Sequence, residues 1–139
     1  MRVGEQPGDQ EDREGRPFVG PAGRILDDAL QELKLERRSI YVTNAVKHFK
    51  HEQRGKRRIY KHPNRSELEQ CRWWLDRELV LINPKLVIAL GAVAAGALMG
   101  RTLSLHHKIL NIFAFCTHRR LRGRTLNTHN HAPRCRCWP

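Results

Sequence analysis

Leu86-Val-Ile-Ala-Leu90 is the stretch that most constrains how this chain folds. Five apolar residues without alternation predict a strand covered on both faces, and such strands belong to parallel sheets. Pro84 stops the segment before it, and Gly91 turns it into a small-residue helix over Ala92 to Met99. A parallel neighbour needs a crossover connection, usually a helix, so the remaining chain has to alternate strand and helix. It does. Met1-Arg2-Val3 reads as the end of a strand, closed by the turn Gly4-Glu-Gln-Pro-Gly8. Pro21 suits the first turn of a helix, and Ile25, Leu26, Ala29, Leu30 and Leu33 recur at helical spacing through Lys34. Ile40-Tyr-Val-Thr43 is a short β-branched strand followed by Asn44, and Asn64 with Glu67 opens a further helix in the manner of a capping box. Leu68, Cys71, Leu75 and Leu79 give that helix its buried stripe, and Ile109 to Phe115 predicts a last strand.

These elements imply an α/β fold, a three-layer sandwich with a central, mostly parallel sheet flanked by helices. Ligands in such folds bind beyond the carboxyl ends of the strands. Three segments fall there: Gly4 to Gly8, Asn44 with the basic segment after it, and the Gly91 turn. The acidic run Asp9 to Glu14 reads as a polar connection. Ala45 to Pro63 reads as a long loop carrying Lys47, Lys50, Arg54, Lys56, Arg57, Arg58 and Lys61.

Charge narrows the partner. Lys and Arg number 26 against 14 Asp and Glu in 139 residues, a formal net charge of +12. The cations cluster, which favours a nucleic-acid backbone over charge that merely keeps the chain soluble. The four cysteines, Cys71, Cys116, Cys135 and Cys137, contain no CxxC pair, and the most apolar stretch, Leu79 to Leu98, is broken by Asn83, Pro84 and Lys85. A reduced, cytoplasmic and bacterial setting is expected, without a membrane span.

Five pieces in register, "GEQPGDQED", "GRPFVGPAGR", "YVTNAVKHFK", "RGKRRIYKHPN" and "LVIALGAVAA", resemble the iron–sulfur uracil-DNA glycosylases called family 4, most closely the UdgX branch. The resemblance runs from Gly4 to about Gly100. It implies an enzyme that flips uracil out of DNA, because the C1′–N1 bond is inaccessible inside a stacked duplex. By that resemblance Glu5 is the carboxylate beside the scissile bond, and Gly4, Glu5 and Gln6 frame the uracil, the last two through backbone groups. Phe18 is the aromatic on which the base stacks, and Asn44 reads the base edge. Read from the residues alone, Glu5 is equally a solvated turn glutamate, Phe18 a core aromatic and Asn44 a strand-ending turn residue. Lys56, Arg57 and Arg58 are expected to grip DNA phosphates, with a solvated charge run as the alternative.

Two ligands of the family's [4Fe–4S] cluster map onto His48, where ordinary members have cysteine, and Cys71. The other two would lie upstream of Met1. Cys71 also suits a buried small hydrophobe. The UdgX branch is similar in its basic insert, KRRIH, whose histidine attacks the sugar; Tyr60 stands there in this chain. A phenol with a pKa of about 10 is a weaker nucleophile at neutral pH than an imidazole, so stable covalent capture is expected to be weakened or lost. The family's closing His-Pro-Ser motif is not found; His131-Ala-Pro133 is a degenerate echo.

Residues 1–117 are therefore expected to form a glycosylase-like domain, truncated at its start. Residues 118–139 are expected to form a basic, disordered or frame-shifted tail in which Cys135, Cys137, His129 and His131 give only a weak zinc pattern. The expected partner is uracil-containing DNA, with single strands among the candidates, engaged by a monomer. A catalytically impaired DNA-binding remnant of the family and an unrelated nucleotide-binding α/β protein are the competing readings.

Overall fold

The computed structural model describes residues 1–100 and 112–116, and the apolar run Leu86–Leu90 lies within its larger sheet. In chain order the elements are β1 (Arg2–Gly4), α1 (Asp9–Glu14), α2 (Pro21–Glu32), a short 3-10 turn (Arg37–Ser39), β2 (Val42–Asn44), β3 (His51–Arg54), β4 (Arg57–Tyr60), α3 (Arg65–Ile82), β5 (Leu86–Leu90), α4 (Ala92–Met99) and β6 (Ile112–Cys116). The four-stranded sheet runs β2-β1-β5-β6. β1 is parallel to both neighbours, pairing Gly4 with Asn44 on one side and Val3 with Ala89 on the other. β6 runs antiparallel to β5, with Leu86 opposite Cys116. The architecture is an α/β sandwich built on a mostly parallel sheet.

Alternation within the strands decides what is core. Val3, Val87 and Ala89 share one sheet face and are at most 1 % exposed. They pack with Leu75 of α3 and with Ala94, Ala95 and Leu98 of α4. Small residues on α4 let its backbone approach the sheet, which is why this helix is apolar yet short-chained. α3 begins as the capping box requires: Asn64 Oδ1 accepts from the Glu67 N–H at 2.9 Å, and Glu67 Oε2 accepts from the Asn64 N–H at 2.6 Å. It ends at Asn83, whose left-handed conformation (φ 43°) precedes Pro84.

Two expectations need correcting. The segment Ala45–Pro63 is not simply a loop, because β3 and β4 within it form an antiparallel hairpin. Gly55 (φ 58°) opens the two-residue turn between Arg54 and Arg57, the glycine-first connection that two-residue hairpins accept. The acidic run is helix α1, ended by Gly15 in the left-handed region. On α2 only Leu26 and Leu30 of the apolar set are buried, whereas Ile25 and Leu33 face solvent. The tail from residue 118 and its zinc pattern lie outside the described residues.

Candidate active site

The carboxyl ends of β1 and β2 meet at Gly4 and Asn44, which are directly paired in the sheet. A methyl group built on Gly4 would collide with Asn44 Oδ1 and lie 2.8 Å from Phe18 Cζ. The absence of a side chain at residue 4 is therefore what lets the Phe18 ring and the Asn44 carboxamide converge. Asn44 is 6 % exposed, and among the described residues its carboxamide has no hydrogen-bond partner. Buried amides are normally paired, so this one has room for a partner that the described residues do not supply.

Both side chains are held from behind. Phe18 adopts φ 56°, a conformation bulky residues rarely take and which persists only when the surroundings enforce it. Arg37 Nη2 donates to the carbonyls of Pro17 (3.2 Å) and Phe18 (3.1 Å), while its Nη1 pairs with Asp27. Gly23 of α2 packs directly on the Phe18 carbonyl. The buried Glu11 carboxylate accepts from the Gly8 N–H (3.1 Å) and the Gly20 N–H (2.8 Å), tying the turn after β1 to the loop that carries Phe18. Behind Asn44, Lys47 Nζ donates to Thr43 Oγ1 (2.6 Å), the Asn44 carbonyl (2.8 Å) and Glu78 Oε2 (2.6 Å). A cavity of about 340 Å³ borders Asn44, walled by Pro7, Pro17, Tyr41, Val46 and Trp74. That size is typical of small-ligand pockets, ~300–1,000 Å³.

Glu5 projects from the same turn toward the hairpin. Its Oε1 accepts from the Tyr60 hydroxyl and lies 2.9 Å from His62 Nδ1, and the phenol oxygen is 3.1 Å from that nitrogen. Gln6 fixes the hairpin's base: its Nε2 donates to the Lys61 carbonyl (2.9 Å) and the Lys50 carbonyl (3.3 Å), and its Oε1 accepts from the Lys50 N–H (3.2 Å). One side chain thus pins both strand ends. The three cations of the hairpin separate. Lys56 and Arg57 sit at the exposed tip, whereas Arg58 turns inward, donating to Asp12 Oδ2 (2.6 Å) and the Asp9 carbonyl (3.2 Å), with its guanidinium 5.4 Å from the Phe49 ring centre. Arg58 anchors the hairpin to α1, and its role in gripping phosphate is correspondingly reduced.

His48 and Cys71 are brought together, Nδ1 to Sγ at 3.9 Å, and that contact is the main reason the His48 pKa lies above its ordinary value. Cys71 is fully buried. Among the described residues no group of three or more His, Cys, Asp or Glu side chains is placed to hold a metal ion. Two donors do not make the four that a [4Fe–4S] cluster takes, so the described residues do not fit that group.

Gly4, Phe18 and Asn44 meet at the ends of β1 and β2, with Glu5 next in the chain, and sequence comparison gives the family of the chain. A family model described as the uracil DNA glycosylase superfamily matches residues 1–139. The chain belongs to that superfamily. It is similar to the type-4 uracil-DNA glycosylase of Pyrobaculum aerophilum, with 37 % identity over 123 residues that cover 88 % of the chain and 59 % of that protein. The type-4 enzyme of Sulfurisphaera tokodaii is 42 % identical over 92 residues, 66 % of the chain and 39 % of the relative. That of Thermotoga maritima is 39 % identical over 92 residues, covering 66 % and 44 %. The matches thus span from about two-fifths to three-fifths of these relatives' lengths. His62, two positions beyond Tyr60, lies 2.9 Å from Glu5 Oε1, a placement that the sequence motifs do not show. Its signal is the hairpin itself, since a histidine two positions beyond Tyr60 at the end of β4 returns to the turn that β1 leaves.

The site makes a spectroscopic prediction. The chain has two tyrosines. Burial, followed by the Glu78 carboxylate, pushes the Tyr41 phenol up to about 12, and burial with the Glu5 hydrogen bond and charge raises Tyr60 further. Absorbance at 295 nm should therefore show no phenolate step near pH 10 in the folded chain; a one-tyrosine step there that disappears in Tyr60→Phe contradicts the placement of Tyr60 against Glu5. Both phenols are kept protonated by folding. Their stabilisation is complete below the unfolded value of about 10 and declines as pH rises from there through the folded values.

Proposed function

We propose that the chain is a UdgX-like uracil-DNA glycosylase that excises uracil from DNA and leaves an abasic sugar. The observation that carries this reading is the meeting of Phe18 and the Asn44 carboxamide, unpartnered among the described residues, over Gly4. A carboxamide both donates and accepts, so it matches uracil's O4 and N3–H edge, while the ring offers a stacking face. Glu5, next in sequence to Gly4, supplies a fixed negative charge where an oxocarbenium-like sugar develops as uracil departs with the bonding electron pair. Water then adds to C1′. Lys56 and Arg57 at the hairpin tip face solvent and suit phosphate contacts. The names of the relatives support the same chemistry.

Burial, followed by the Glu5 hydrogen bond and charge, holds the Tyr60 phenol protonated, which favours hydrolysis over covalent capture of the sugar. A heat- and detergent-stable protein–DNA adduct on denaturing gels would contradict that part of the reading. The main test is incubation with a single-stranded uracil oligonucleotide, followed by detection of free uracil and an alkali-labile site. Asn44→Ala should retain the fold and lower release about thirtyfold, the equivalent of about 2 kcal/mol for a lost buried amide contact. Binding of the oligonucleotide without any release would instead identify a DNA-binding remnant of the family.

A further inference from the structure

We infer that His62 is a further catalytic residue, a general base that Glu5 orients so that its free ring nitrogen activates the water which attacks the sugar. The inference rests on the glycosylase reading above and assigns a residue to its second step. A carboxylate oxygen only accepts, so the 2.9 Å contact with Glu5 Oε1 places the proton on His62 Nδ1. Nε2 then carries the lone pair. The Tyr60 hydroxyl donates to the same carboxylate oxygen, and its ring meets the imidazole edge-on, with centres 5.1 Å apart at 87°. The imidazole is therefore fixed on two sides, by a charge and by a ring face, although its side chain is 78 % exposed. The titratable groups in contact with it are the Glu5 carboxylate from the β1 turn and the Tyr60 phenol from β4.

This arrangement divides labour among three side chains. The phenol stays protonated and holds the carboxylate still. The carboxylate sets the imidazole tautomer and stabilises the imidazolium that forms. As the water oxygen bonds to C1′ of the cationic sugar, one O–H bond breaks and its proton passes to Nε2. The imidazolium returns that proton to solvent or to the departed uracil anion, so atoms and charges balance across the turnover. Imidazoles suit this exchange at neutral pH, because they ordinarily titrate at about pH 6.5.

The test compares the wild-type chain with His62→Gln on the single-stranded uracil oligonucleotide across pH 5 to 9. At pH 7.5 His62→Gln should reduce kcat about a hundredfold, the low end of general-base effects, with KM little changed. The wild-type rate should rise through the imidazole range, and the variant should lose that rise. Because the side chain is largely exposed, thermal melts of the two should coincide. A variant with wild-type kcat and pH profile overturns the proposal, as does a covalent adduct trapped on residue 62. The imidazole nitrogen shifts of the wild-type chain at pH 8 give a readout independent of turnover. Protonated Nδ1 with bare Nε2 supports the proposal, and the opposite tautomer overturns it. A wild type that releases no uracil overturns the glycosylase reading and the base role with it, and the tautomer then reports on the Glu5–His62 contact alone.

Discussion

Gly4→Ala is expected to reduce uracil release about a thousandfold while leaving the protein folded. The added methyl would collide with Asn44 Oδ1 and approach Phe18 Cζ to 2.8 Å. Both atoms are ends of side chains, so the strain is relieved by turning them away from each other. That relief dismantles the pocket. Losing base stacking of ~1–3 kcal/mol and a buried amide contact of about 2 kcal/mol together approaches 4 kcal/mol, or three powers of ten in rate. The stability cost should stay near the low end of small-to-large changes, about 1 kcal/mol. Uracil release and a thermal melt, measured side by side, check both halves. Wild-type release by this variant would show that Phe18 and Asn44 do not form the base pocket.

Gly23→Ala should behave in the opposite way, lowering stability by about 3 kcal/mol, the upper end of overpacking. Here the new methyl would collide with the carbonyl oxygen and carbon of Phe18 and stand 3.1 Å from its Cα. Backbone cannot rotate aside as a side chain does. The start of α2 must separate from the Phe18 loop, which also breaks the fit between Arg37 and the Pro17 and Phe18 carbonyls. For a chain of this size the melting midpoint should fall by roughly 10 °C. A shift below about 2 °C would mean that this contact is looser than the structure has it. The pair of glycines thus separates two roles: one keeps space for a ligand, the other for the chain itself.

Much of the scaffold was legible because its signals are local. An apolar run announces β5, and Asn64 with Glu67 announces the start of α3 whatever surrounds them. The hairpin was not legible, since His51-Glu-Gln-Arg54 and Arg57-Arg-Ile-Tyr60 show no apolar alternation. Its stability comes from distant groups: Gln6 at its base, Asp9 and Asp12 on Arg58, and Glu5 on Tyr60. The Gly55-Lys56 turn was the one local clue. For the same reason the strand segments did not disclose that Arg58 faces inward while its neighbours face out. Glu5, Phe18 and Asn44 could be proposed only through resemblance, because turn, core and strand-end roles explain each of them equally well in isolation. The Glu5–His62 contact needed three-dimensional placement, as the two residues are 57 positions apart.

The central position of β1 has a consequence for synthesis. Its three residues are flanked by β2 and by β5, and the Met1 nitrogen donates to the Leu86 carbonyl, 85 positions later. Gly4 and Glu5 therefore leave the ribosome long before β5 exists to support them. At ~5–20 residues per second the nascent chain spends several seconds with its pocket-forming turn unassembled. Closure must then span a long loop before any parallel pairing rewards it, the circumstance that slows folding most. The turn that carries Gly4 and Glu5 is made well before the strand that completes the sheet around it.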